Sequence, residues 1–386
     1  MITHSLFSLF KDLPIFWDCT EPLTNLPVHA IQYDSRRVCS GDVFVAVSGG
    51  SMDGHDFIPA AIKNGAAAVV GTKTLSGLPV PYVRVRDSRE ALAHLAAAFY
   101  GHPARKMTVI GVTGTDGKTT TANLIFEILK ASGVKAGLIS TVNAVIGVEV
   151  LDTGFHVTTP EATDVQRYLA QMVEAGLTSV ILESTSHGLA QHRVTGCEYD
   201  IAVVTNITHE HLDYHGTYED YRAAKGRMFA SLSHTVEKPF GNPRLAVLNH
   251  DDISYAYLSE LVKVKQVSYG LNGLGDYTAH DIVSNPAGVD FTIIGDGGKV
   301  QSHCNLPGRF NVSNCLAAFC AARGMGIDAH QAVEGLARLE GVPGRMEAIE
   351  MGQPFGAMVD FAHTPNALKV ALETAREMTS NRVIAV

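Results

Sequence analysis

Short apolar runs alternate with longer amphipathic segments along most of the chain. In the first hundred residues this pattern predicts strands at 41–47, 66–70 and 81–87, with helices that end near Gly65 and Gly101. The alternation continues through the middle of the chain. Its predicted strands lie at 107–113, 134–140, 178–185, 199–207 and 244–249, and its predicted helices follow the first of these strands and occupy 164–176 and 218–232. Because helices alternate with apolar strands, we predict an α/β protein with a mostly parallel, doubly wound sheet.

The pattern changes twice in the last third of the chain. A more polar, β-rich stretch covers about 264–304, and a helix is predicted at 310–326. After a break at 341–346 we predict a strand at 356–362, a helix at 366–378 and a final strand at 383–386. The predicted domains are therefore 1–104, 105–340 and 341–386. A parallel-sheet domain that stops on a strand is unfinished, so we expect the third domain to be incomplete.

Composition and charge reduce the number of functional classes to which the protein could belong. Hydrophobic residues make up 46% of the 386 residues and charged residues 18%, which is typical of a soluble globular protein. Acidic residues exceed basic ones by 39 to 30 without any basic run, so we expect no nucleic-acid partner. No apolar run is long enough for a membrane helix, and the N-terminus lacks the basic region of a signal peptide. Six cysteines without a C-x-x-C pair are interpreted as buried thiols of a cytoplasmic protein.

A glycine-containing loop indicates a nucleoside triphosphate. The sequence Gly114-Thr115-Asp116-Gly117-Lys118-Thr119-Thr120 follows a predicted strand and opens a predicted helix. In such a loop, backbone amides converge on phosphate oxygens, the lysine reaches the β- and γ-phosphates, and the following threonine hydroxyl can bind Mg²⁺. The match to G-x-x-x-x-G-K-[ST] is incomplete because position 112 is valine, and an ordinary glycine turn before a helix is the alternative.

Carboxylates and imidazoles follow the next strands of the predicted sheet. Glu183 ends one strand, and the strand that ends at Asn206 leads into a segment with His209, Glu210, His211, Asp213 and His215. Ligands bind at the carboxyl ends of such strands, so these side chains are suited to Mg²⁺ and to a γ-phosphate. A zinc site is less favoured because no H-E-x-x-H spacing occurs, and any single histidine could belong to an ordinary surface loop.

Lys225 lies on the helix predicted at 218–232. From the residues alone it is interpreted as a solvated lysine, with Tyr221 four residues earlier on the same helix.

Taken together, these motifs resemble the Mur ligase family, and within it the UDP-N-acetylmuramyl-tripeptide synthetases (MurE-type). The resemblance runs from Tyr33 to the C-terminus. It rests on DSRRVCSGDVFVAVSGGSMDGHDFIPAAIKNGA, TGTDGKTTT, HVTTP, ESTSHGLAQHRV, NITHEHLDYHGTYEDYRAAKGRMF, GRFNVSNCLAA, VPGRME and VDFAHTPNAL. It implies three domains: one for UDP, a central P-loop domain for ATP, and a Rossmann-like C-terminal domain. It also implies ATP-dependent addition of an amino acid, diaminopimelate or lysine, to UDP-N-acetylmuramoyl-L-alanyl-D-glutamate through an acyl phosphate.

The resemblance also implies roles for individual residues. UDP-muramyl peptide contacts would come from Ser35, Gly50, Ser51, Met52, Thr158, Thr159, Thr185, Gln191 and Arg193. ATP contacts would come from Gly114, Thr115, Asp116, Gly117, Lys118, Thr119, Thr120, Asn314, Arg345, Asp360 and His363. Magnesium ligands would be Thr119, Glu183, His211 and Lys225 as its carbamate, with Lys118, Lys225, Glu183 and His211 forming the catalytic set. The expected protein is a cytoplasmic monomer of cell-wall synthesis.

Some positions depart from the family pattern. Asp116 stands where asparagine is usual, Glu210 replaces an aspartate, and Thr185 replaces a serine. The D-N-P-R segment that selects diaminopimelate is absent, so we expect a C-terminally truncated chain whose amino-acid pocket is largely missing.

Two alternatives to a tripeptide synthetase remain open. One is a folylpolyglutamate synthase-like ligase, and the other is a truncated protein that binds nucleotide or UDP-sugar without catalysis.

Overall fold

The computed structural model describes residues 4–11, 13–19, 21–50, 52–152, 158–208, 210–285, 287–296 and 298–386. The helices in these ranges are α1 (Leu6–Lys11), α2 (Ile58–Lys63), α3 (Ser88–Phe99), α4 (Lys118–Ala131), α5 (Ala162–Glu174), α6 (Ser186–Ala190), α7 (Leu212–His215), α8 (Tyr218–Ser231), α9 (Tyr255–Leu261), α10 (Arg309–Gly324), α11 (Ala329–Leu336) and α12 (Pro365–Glu377). The strands are β1 (His4–Ser5), β2 (Trp17–Cys19), β3 (Pro27–Val28), β4 (Ile31–Gln32), β5 (Val43–Val45), β6 (Ala68–Gly71), β7 (Tyr82–Val85), β8 (Thr108–Thr113), β9 (Ala136–Ile139), β10 (Asn143–Ile146), β11 (Glu149–Asp152), β12 (Ser179–Glu183), β13 (Ile201–Val204), β14 (Leu245–Asn249), β15 (Lys265–Gly270), β16 (Tyr277–Asn285), β17 (Gly288–Gly295), β18 (Gly298–Cys304), β19 (Glu347–Ile349) and β20 (Ala357–Val359).

The chain divides into two compact units. The first contains Met1–Lys106, Pro160–Val173 and His187–Cys197, and the second contains Met107–Thr159, Glu174–Ser186 and Glu198–Val386. The predicted domain boundaries at 104 and 340 stay predictions.

The first unit contains a five-stranded sheet in the order β2-β7-β6-β5-β4. Strands β4 to β7 pair in parallel, and β2 joins β7 antiparallel. Successive side chains of a strand point to opposite faces. Val43 and Val45 accordingly join one apolar cluster, while Phe44 joins the other. The apolar runs predicted as strands are therefore buried on both faces, as parallel strands require.

The second unit contains an eleven-stranded sheet in the order β11-β10-β9-β12-β8-β13-β14-β15-β16-β17-β18. The seven strands from β9 to β16 in this order pair in parallel, while β10, β11, β17 and β18 pair antiparallel at the two edges. Helices α4, α10 and α11 cover one face, with Ile125, Leu316 and Leu336 in the shared core. The predicted doubly wound, mostly parallel sheet is confirmed, and so is the β-rich stretch at 264–304.

Two predictions about the sequence are wrong. Residues 383–386 form no strand and pair with no described strand, and Ile384 is exposed. A strand needs a neighbour to satisfy its backbone groups, and an apolar run cannot supply one. The cysteines are not all buried, because Cys39 is exposed and Cys19 is half-buried, although all six are free thiols.

Within the described ranges, no helix is long and apolar enough to cross a membrane.

A buried ion pair lies at the amino ends of the central strands. Lys238 Nζ donates to Asp200 Oδ2 at 2.6 Å, and both side chains are completely buried. The same carboxylate accepts the Val109 N–H at 2.8 Å and the Asn242 amide at 2.7 Å, while Lys238 also donates to the Glu198 carbonyl at 2.6 Å. These bonds join the starts of β8 and β13 to the loop before β14, so the pair holds two central strands in place.

We expect Lys238→Met to lower the free energy of unfolding by about 3–5 kcal/mol, because it leaves the Asp200 carboxylate buried without its cation. Urea unfolding followed by circular dichroism measures this loss. Lys369→Met is the control, because Lys369 and Glu373 form an exposed pair that is worth about 1 kcal/mol at most. Equal losses in the two variants would contradict a structural role for the buried pair.

Candidate functional site

A cavity of about 500 Å³ opens in the second unit, where the central parallel strands end. Its lining comes from the loop between β8 and α4, from segments after β9, β12 and β13, from the start of α10, and from residues 345–371. The lining residues are Thr115, Asp116, Gly117, Lys118, Thr119, Thr120, Thr141, Thr158, Glu183, Thr185, Asn206, Thr208, Glu210, His211, Leu306, Phe310, Asn311, Ser313, Asn314, Arg345, Met346, Asp360, Phe361, Ala362, His363, Ala367, Val370 and Ala371. The structure thus brings most of the predicted ATP and metal residues into one cavity.

The loop between β8 and α4 depends on its two glycines. Gly114 has φ 154° and Gly117 has φ 81°, values that other residues rarely adopt. A Cβ atom would collide with the Thr205 hydroxyl at position 114 and with the Asn314 side chain at position 117. The Thr115 N–H donates to the Asn206 carbonyl at 2.7 Å, which fixes the start of the loop. The loop therefore presents its remaining amides and the amino end of α4 to the cavity, an arrangement that favours an anion.

Two cationic side chains lie at this end of the cavity. Lys118 Nζ donates to the Thr115 carbonyl at 2.7 Å. Arg345 Nη2 donates to the Thr119 hydroxyl at 3.3 Å, and the Arg345 guanidinium lies 5.0 Å from the centre of the Phe361 ring. Both positive charges lie where the loop would receive phosphate groups, so they can compensate the negative charge of a bound nucleotide.

Glu183 is the buried carboxylate of the site. It ends β12 and is 1% exposed. Its Oε1 accepts the Thr119 hydroxyl at 3.1 Å and the Thr141 hydroxyl at 3.0 Å, and its Oε2 accepts the Thr141 N–H at 3.0 Å. Sequence reasoning missed Thr141. Its position just after β9, at the carboxyl end of a central strand, is the signal that could have identified it.

Lys225 is not the solvated lysine that the helical pattern indicated. It is 1% exposed, its Nζ donates to the Gly114 carbonyl at 2.6 Å, and it lies 4.6 Å from the centre of the Tyr221 ring. Burial lowers the pKa of its amine well below the ordinary value, and the nearby Lys118 lowers it further. The expected proximity to Tyr221 is confirmed. Lys225 contacts the phosphate loop through the Gly114 carbonyl and is not among the residues that line the cavity.

Two of the predicted histidines lie on either side of Glu210. His211 Nε2 is 3.6 Å from Glu210 Oε2, and His363 Nε2 is 3.5 Å from Glu210 Oε1. The Tyr221 hydroxyl also donates to Glu210, at 3.4 Å. The sequence placed Glu210 among the side chains suited to Mg²⁺ and to a γ-phosphate, and in the structure it connects the two histidines. His209 lies outside the described residues.

The cavity also has apolar lining. Leu306, Phe310 and residues of α12 supply it, while Asn314, whose side chain lies against Gly117 of the phosphate loop, supplies a polar group. The Asn314 Oδ1 accepts the Thr121 hydroxyl at 3.3 Å, and its amide nitrogen donates to Asn311 Oδ1 at 3.0 Å. A flat, largely apolar base fits such a surface.

Two backbone N–H groups hold the Asp360 carboxylate in place. Its Oδ2 accepts the Met346 N–H at 2.8 Å and its Oδ1 accepts the Ala362 N–H at 2.8 Å. These bonds connect the segment after β20 to the segment that carries Arg345. Asp360 therefore shapes the cavity wall on which Arg345 and His363 lie.

The predicted substrate residues fall into two groups. Thr158 and Thr185 line the cavity, and the buried Thr159 hydroxyl lies 3.1 Å from Thr185 Oγ1. The other group lies in the first unit, where Arg193 donates to Gln191 Oε1 at 2.9 Å and forms an ion pair of 3.0 Å with Glu161.

The remaining predicted substrate residues also belong to the first unit. Ser35 is buried, and its carbonyl accepts the Asn64 amide at 2.9 Å. Gly50 and Met52 belong to the loop after β5, and Met52 is 66% exposed. Ser51 lies outside the described residues. The binding roles of this group stay predictions.

The side chains of the site include few potential metal ligands. Within the described part of the chain, no group of three or more His, Cys, Asp or Glu side chains is arranged to hold a metal ion. The predicted set contains only two such side chains, Glu183 and His211. The Thr119 hydroxyl and the Glu183 carboxylate lie together beside the phosphate loop, and such hard oxygen donors fit Mg²⁺, which commonly keeps several waters.

Comparison with known proteins identifies the family. Residues 27–100 match the Mur ligase family catalytic domain, and residues 112–322 match the Mur ligase middle domain. A relative from Geobacillus kaustophilus (strain HTA426), named UDP-N-acetylmuramoyl-L-alanyl-D-glutamate--2,6-diaminopimelate ligase, is 43% identical over 99% of this chain and 76% of its own length. A relative from Roseiflexus sp. (strain RS-1), named UDP-N-acetylmuramyl-tripeptide synthetase, is 42% identical over 95% of this chain and 73% of its own length.

A solved structure agrees with the sequence matches. It is described as UDP-N-acetylmuramoyl-L-alanyl-D-glutamate--2,6-diaminopimelate ligase and superposes with a TM-score of 0.82 at 31% identity, covering 98% of this chain and 75% of that chain. The chain thus spans about three quarters of the length of these similar proteins. This chain belongs to the Mur ligase family.

Proposed function

We propose that this chain is an ATP-dependent ligase of peptidoglycan synthesis that adds diaminopimelate or lysine to UDP-N-acetylmuramoyl-L-alanyl-D-glutamate. The observation that carries the proposal is the cavity in which the phosphate loop, Lys118, Arg345 and the buried Glu183 meet. The names of relatives that match nearly the whole chain support this substrate. The predicted cytoplasmic location and monomeric state belong to the same proposal.

The proposed reaction has two steps. A carboxylate oxygen of the muramyl peptide attacks the γ-phosphorus of ATP, and the bond to the β-phosphate oxygen breaks to release ADP. The amine of the incoming amino acid then attacks the acyl carbon, phosphate leaves, and the nitrogen loses a proton. Lys118 and Arg345 face the end of the cavity where charge accumulates in the first step, so they stabilise the transferring phosphoryl group electrostatically.

Magnesium fits the donors at this end of the cavity. Thr119, Glu183 and His211, which line the cavity, would hold it together with Lys225 as its carbamate, which contacts the phosphate loop from outside the lining. The ion would neutralise phosphate charge and orient the γ-phosphate. Thr141 fixes Glu183 through both carboxylate oxygens, so this ligand is already oriented before any ion binds.

The test is ATP-dependent phosphate release by the purified protein, with UDP-N-acetylmuramoyl-L-alanyl-D-glutamate and a panel of amino acids. We expect release only when diaminopimelate or lysine is present, with a product that has gained that residue. Release with a folate and glutamate would instead favour the folylpolyglutamate synthase-like alternative. Binding of ATP and UDP-sugar without release under any condition would favour the non-catalytic alternative.

We expect Glu183→Gln and His211→Ala each to raise the magnesium concentration for half-maximal activity by about tenfold or more, because each removes or weakens a metal contact. The measurement is a magnesium titration of phosphate release at saturating ATP. Glu334→Gln on the exposed side of α11 is the control and should leave the titration unchanged. Unchanged titrations in both site variants would place the metal elsewhere.

A further inference from the structure

The loop that follows β5 in the first unit is closed at its base. The backbones of Ser48 and Asp53 form an antiparallel bridge, and the Gly49 N–H donates to the Met52 carbonyl at 2.8 Å. We call this segment the 48–53 loop. It contains the positions at which contacts to the UDP-muramyl peptide are expected, so its shape matters for the second substrate.

The Asp53 carboxylate connects the base of the 48–53 loop to residues outside it. Its Oδ1 accepts the Ser48 hydroxyl at 3.2 Å and the His55 N–H at 3.0 Å, and it lies 2.6 Å from His55 Nδ1. Its Oδ2 lies 2.7 Å from the ammonium of Lys73. Lys73 is the largest cause that lowers the pKa of Asp53 well below its ordinary value, followed by the bonds from His55. Asp53 is therefore an anion at neutral pH.

The imidazole of His55 is buried, with its side chain only 2% exposed. Its Nε2 accepts the Thr72 N–H at 2.9 Å, so the neutral ring carries its proton on Nδ1 and donates it to Asp53. A Cβ atom at Gly71 would lie 2.6 Å from His55 Nε2, so the close approach of the ring requires glycine there. The ring thus connects the 48–53 loop to the end of β6.

Lys73 is held in turn by β7. The buried Tyr82 donates its hydroxyl to the Lys73 carbonyl at 2.7 Å. Lys73, Asp53 and His55 therefore form a chain of contacts, here called the Lys73–Asp53–His55 triad, between the ends of β5 and β6. Strands β4 to β7 are parallel, so Ser35, which follows β4, lies at the same edge of the sheet. In α/β proteins this is the edge at which ligands bind.

The buried position of His55 does not itself require a polar side chain. An apolar residue would fill it without the cost of burying an imidazole, so the ring serves the hydrogen bonds that it makes. These bonds order the 48–53 loop before any ligand arrives. A loop that is already ordered loses little conformational entropy on binding, which favours affinity. The triad should therefore affect how tightly a ligand binds rather than how fast it reacts.

We propose that the Lys73–Asp53–His55 triad is a positioning device that holds the 48–53 loop in the shape that binds the UDP-muramyl peptide. The inference rests on the proposed function, because it takes this molecule as the ligand of the loop. It goes further in assigning part of the affinity for that substrate to three side chains that act through the loop.

The test is calorimetric binding of UDP-N-acetylmuramoyl-L-alanyl-D-glutamate without ATP. His55→Leu removes both ring hydrogen bonds and keeps the buried position filled. We expect its Kd for this ligand to rise by about tenfold or more, while its Kd for ATP stays within about twofold, because the phosphate loop belongs to the second unit. In phosphate release the loss should appear in KM for the UDP-muramyl peptide, with kcat changed by about twofold at most.

Asp53→Asn separates positioning from direct electrostatics and decides the outcome if His55→Leu does not fold. Removing a negative charge beside an anionic ligand would by itself tighten binding. Loss of the contact with Lys73 should instead raise the Kd for the UDP-muramyl peptide by about threefold or more. Asp56→Asn is the matched control, because Asp56 is exposed and close in the chain, and its Kd should stay within about twofold of the wild-type value.

Leu95→Val controls for a general loss of stability, because Leu95 is buried in the apolar cluster on the other face of the sheet. It should lower the melting temperature and leave the Kd unchanged. Unchanged or tighter binding by folded Asp53→Asn or His55→Leu overturns the inference, and so does an equal loss of affinity in Leu95→Val. If the wild-type protein does not bind the UDP-muramyl peptide, the proposed function fails as well. Wild-type binding with unaffected variants removes only the role of the triad.

Discussion

Lys225→Arg should lose ligase activity by at least about a hundredfold while Lys130→Arg stays fully active. The wild-type amine is buried, and burial lowers its pKa well below the ordinary value, so the neutral form is more accessible than in an exposed lysine. A neutral amine can attack CO₂: the N–C bond forms, a proton leaves the nitrogen, and an anionic carbamate results. Arginine stays protonated at all working pH values and cannot follow this route. It would place a fixed positive charge behind the phosphate loop in place of two anionic oxygens.

Phosphate release at saturating substrates measures the loss, and intact mass shows whether the wild-type protein carries one added CO₂. Lys130 on α4 is exposed and 3.3 Å from Glu127, so Lys130→Arg controls for the substitution itself. Lys225→Met addresses the cost of burying an arginine, because it is uncharged and close in size. We expect it to keep the wild-type circular dichroism spectrum and to be as inactive as Lys225→Arg. Full activity in a folded Lys225→Arg protein would exclude the carbamate.

The burial of Lys225 shows where sequence patterns stop being informative. The helical periodicity of residues 218–232 correctly predicts α8, because it is a local property of the segment. Which side of the helix is covered depends on the Gly114 carbonyl, more than a hundred residues earlier in the chain. A lysine is usually exposed, so the local pattern favoured the wrong environment.

The difference between local and long-range properties also explains which other predictions from the sequence were confirmed. The parallel sheet was predictable because strands such as β8 are buried at every position and read as continuous apolar runs. The phosphate loop was predictable because Gly114 and Gly117 meet local steric demands. Thr141 and Asn206 were not identified as site residues, because their roles arise only when the end of β9 lies beside β12 and the end of β13 lies beside β8. The strand expected at 383–386 failed for a related reason, since strand pairing is not a local property.

Lys118→Ala should lose nearly all ATP turnover, with kcat lower by about a hundredfold to a thousandfold. Lys118 lines the cavity at the amino end of α4, and its Nζ donates to the Thr115 carbonyl at 2.7 Å. From that position it can reach phosphate oxygens and stabilise the charge that develops on the transferring phosphoryl group. Alanine is a strong helix former, so α4 should still begin at the same residue.

The informative comparison is between turnover and binding of the second substrate. Ser35, Gln191 and Arg193, which we expect to bind the UDP-muramyl peptide, all belong to the first compact unit, whereas Lys118 belongs to the second. Lys118→Ala should therefore leave the Kd for the UDP-muramyl peptide within about twofold of the wild-type value, measured by calorimetry without ATP, because it removes none of these groups. Lys118→Arg keeps the positive charge but changes its geometry, so it should retain more turnover than Lys118→Ala. Wild-type turnover in Lys118→Ala would show that the loop at 114–120 does not hold the reacting phosphates.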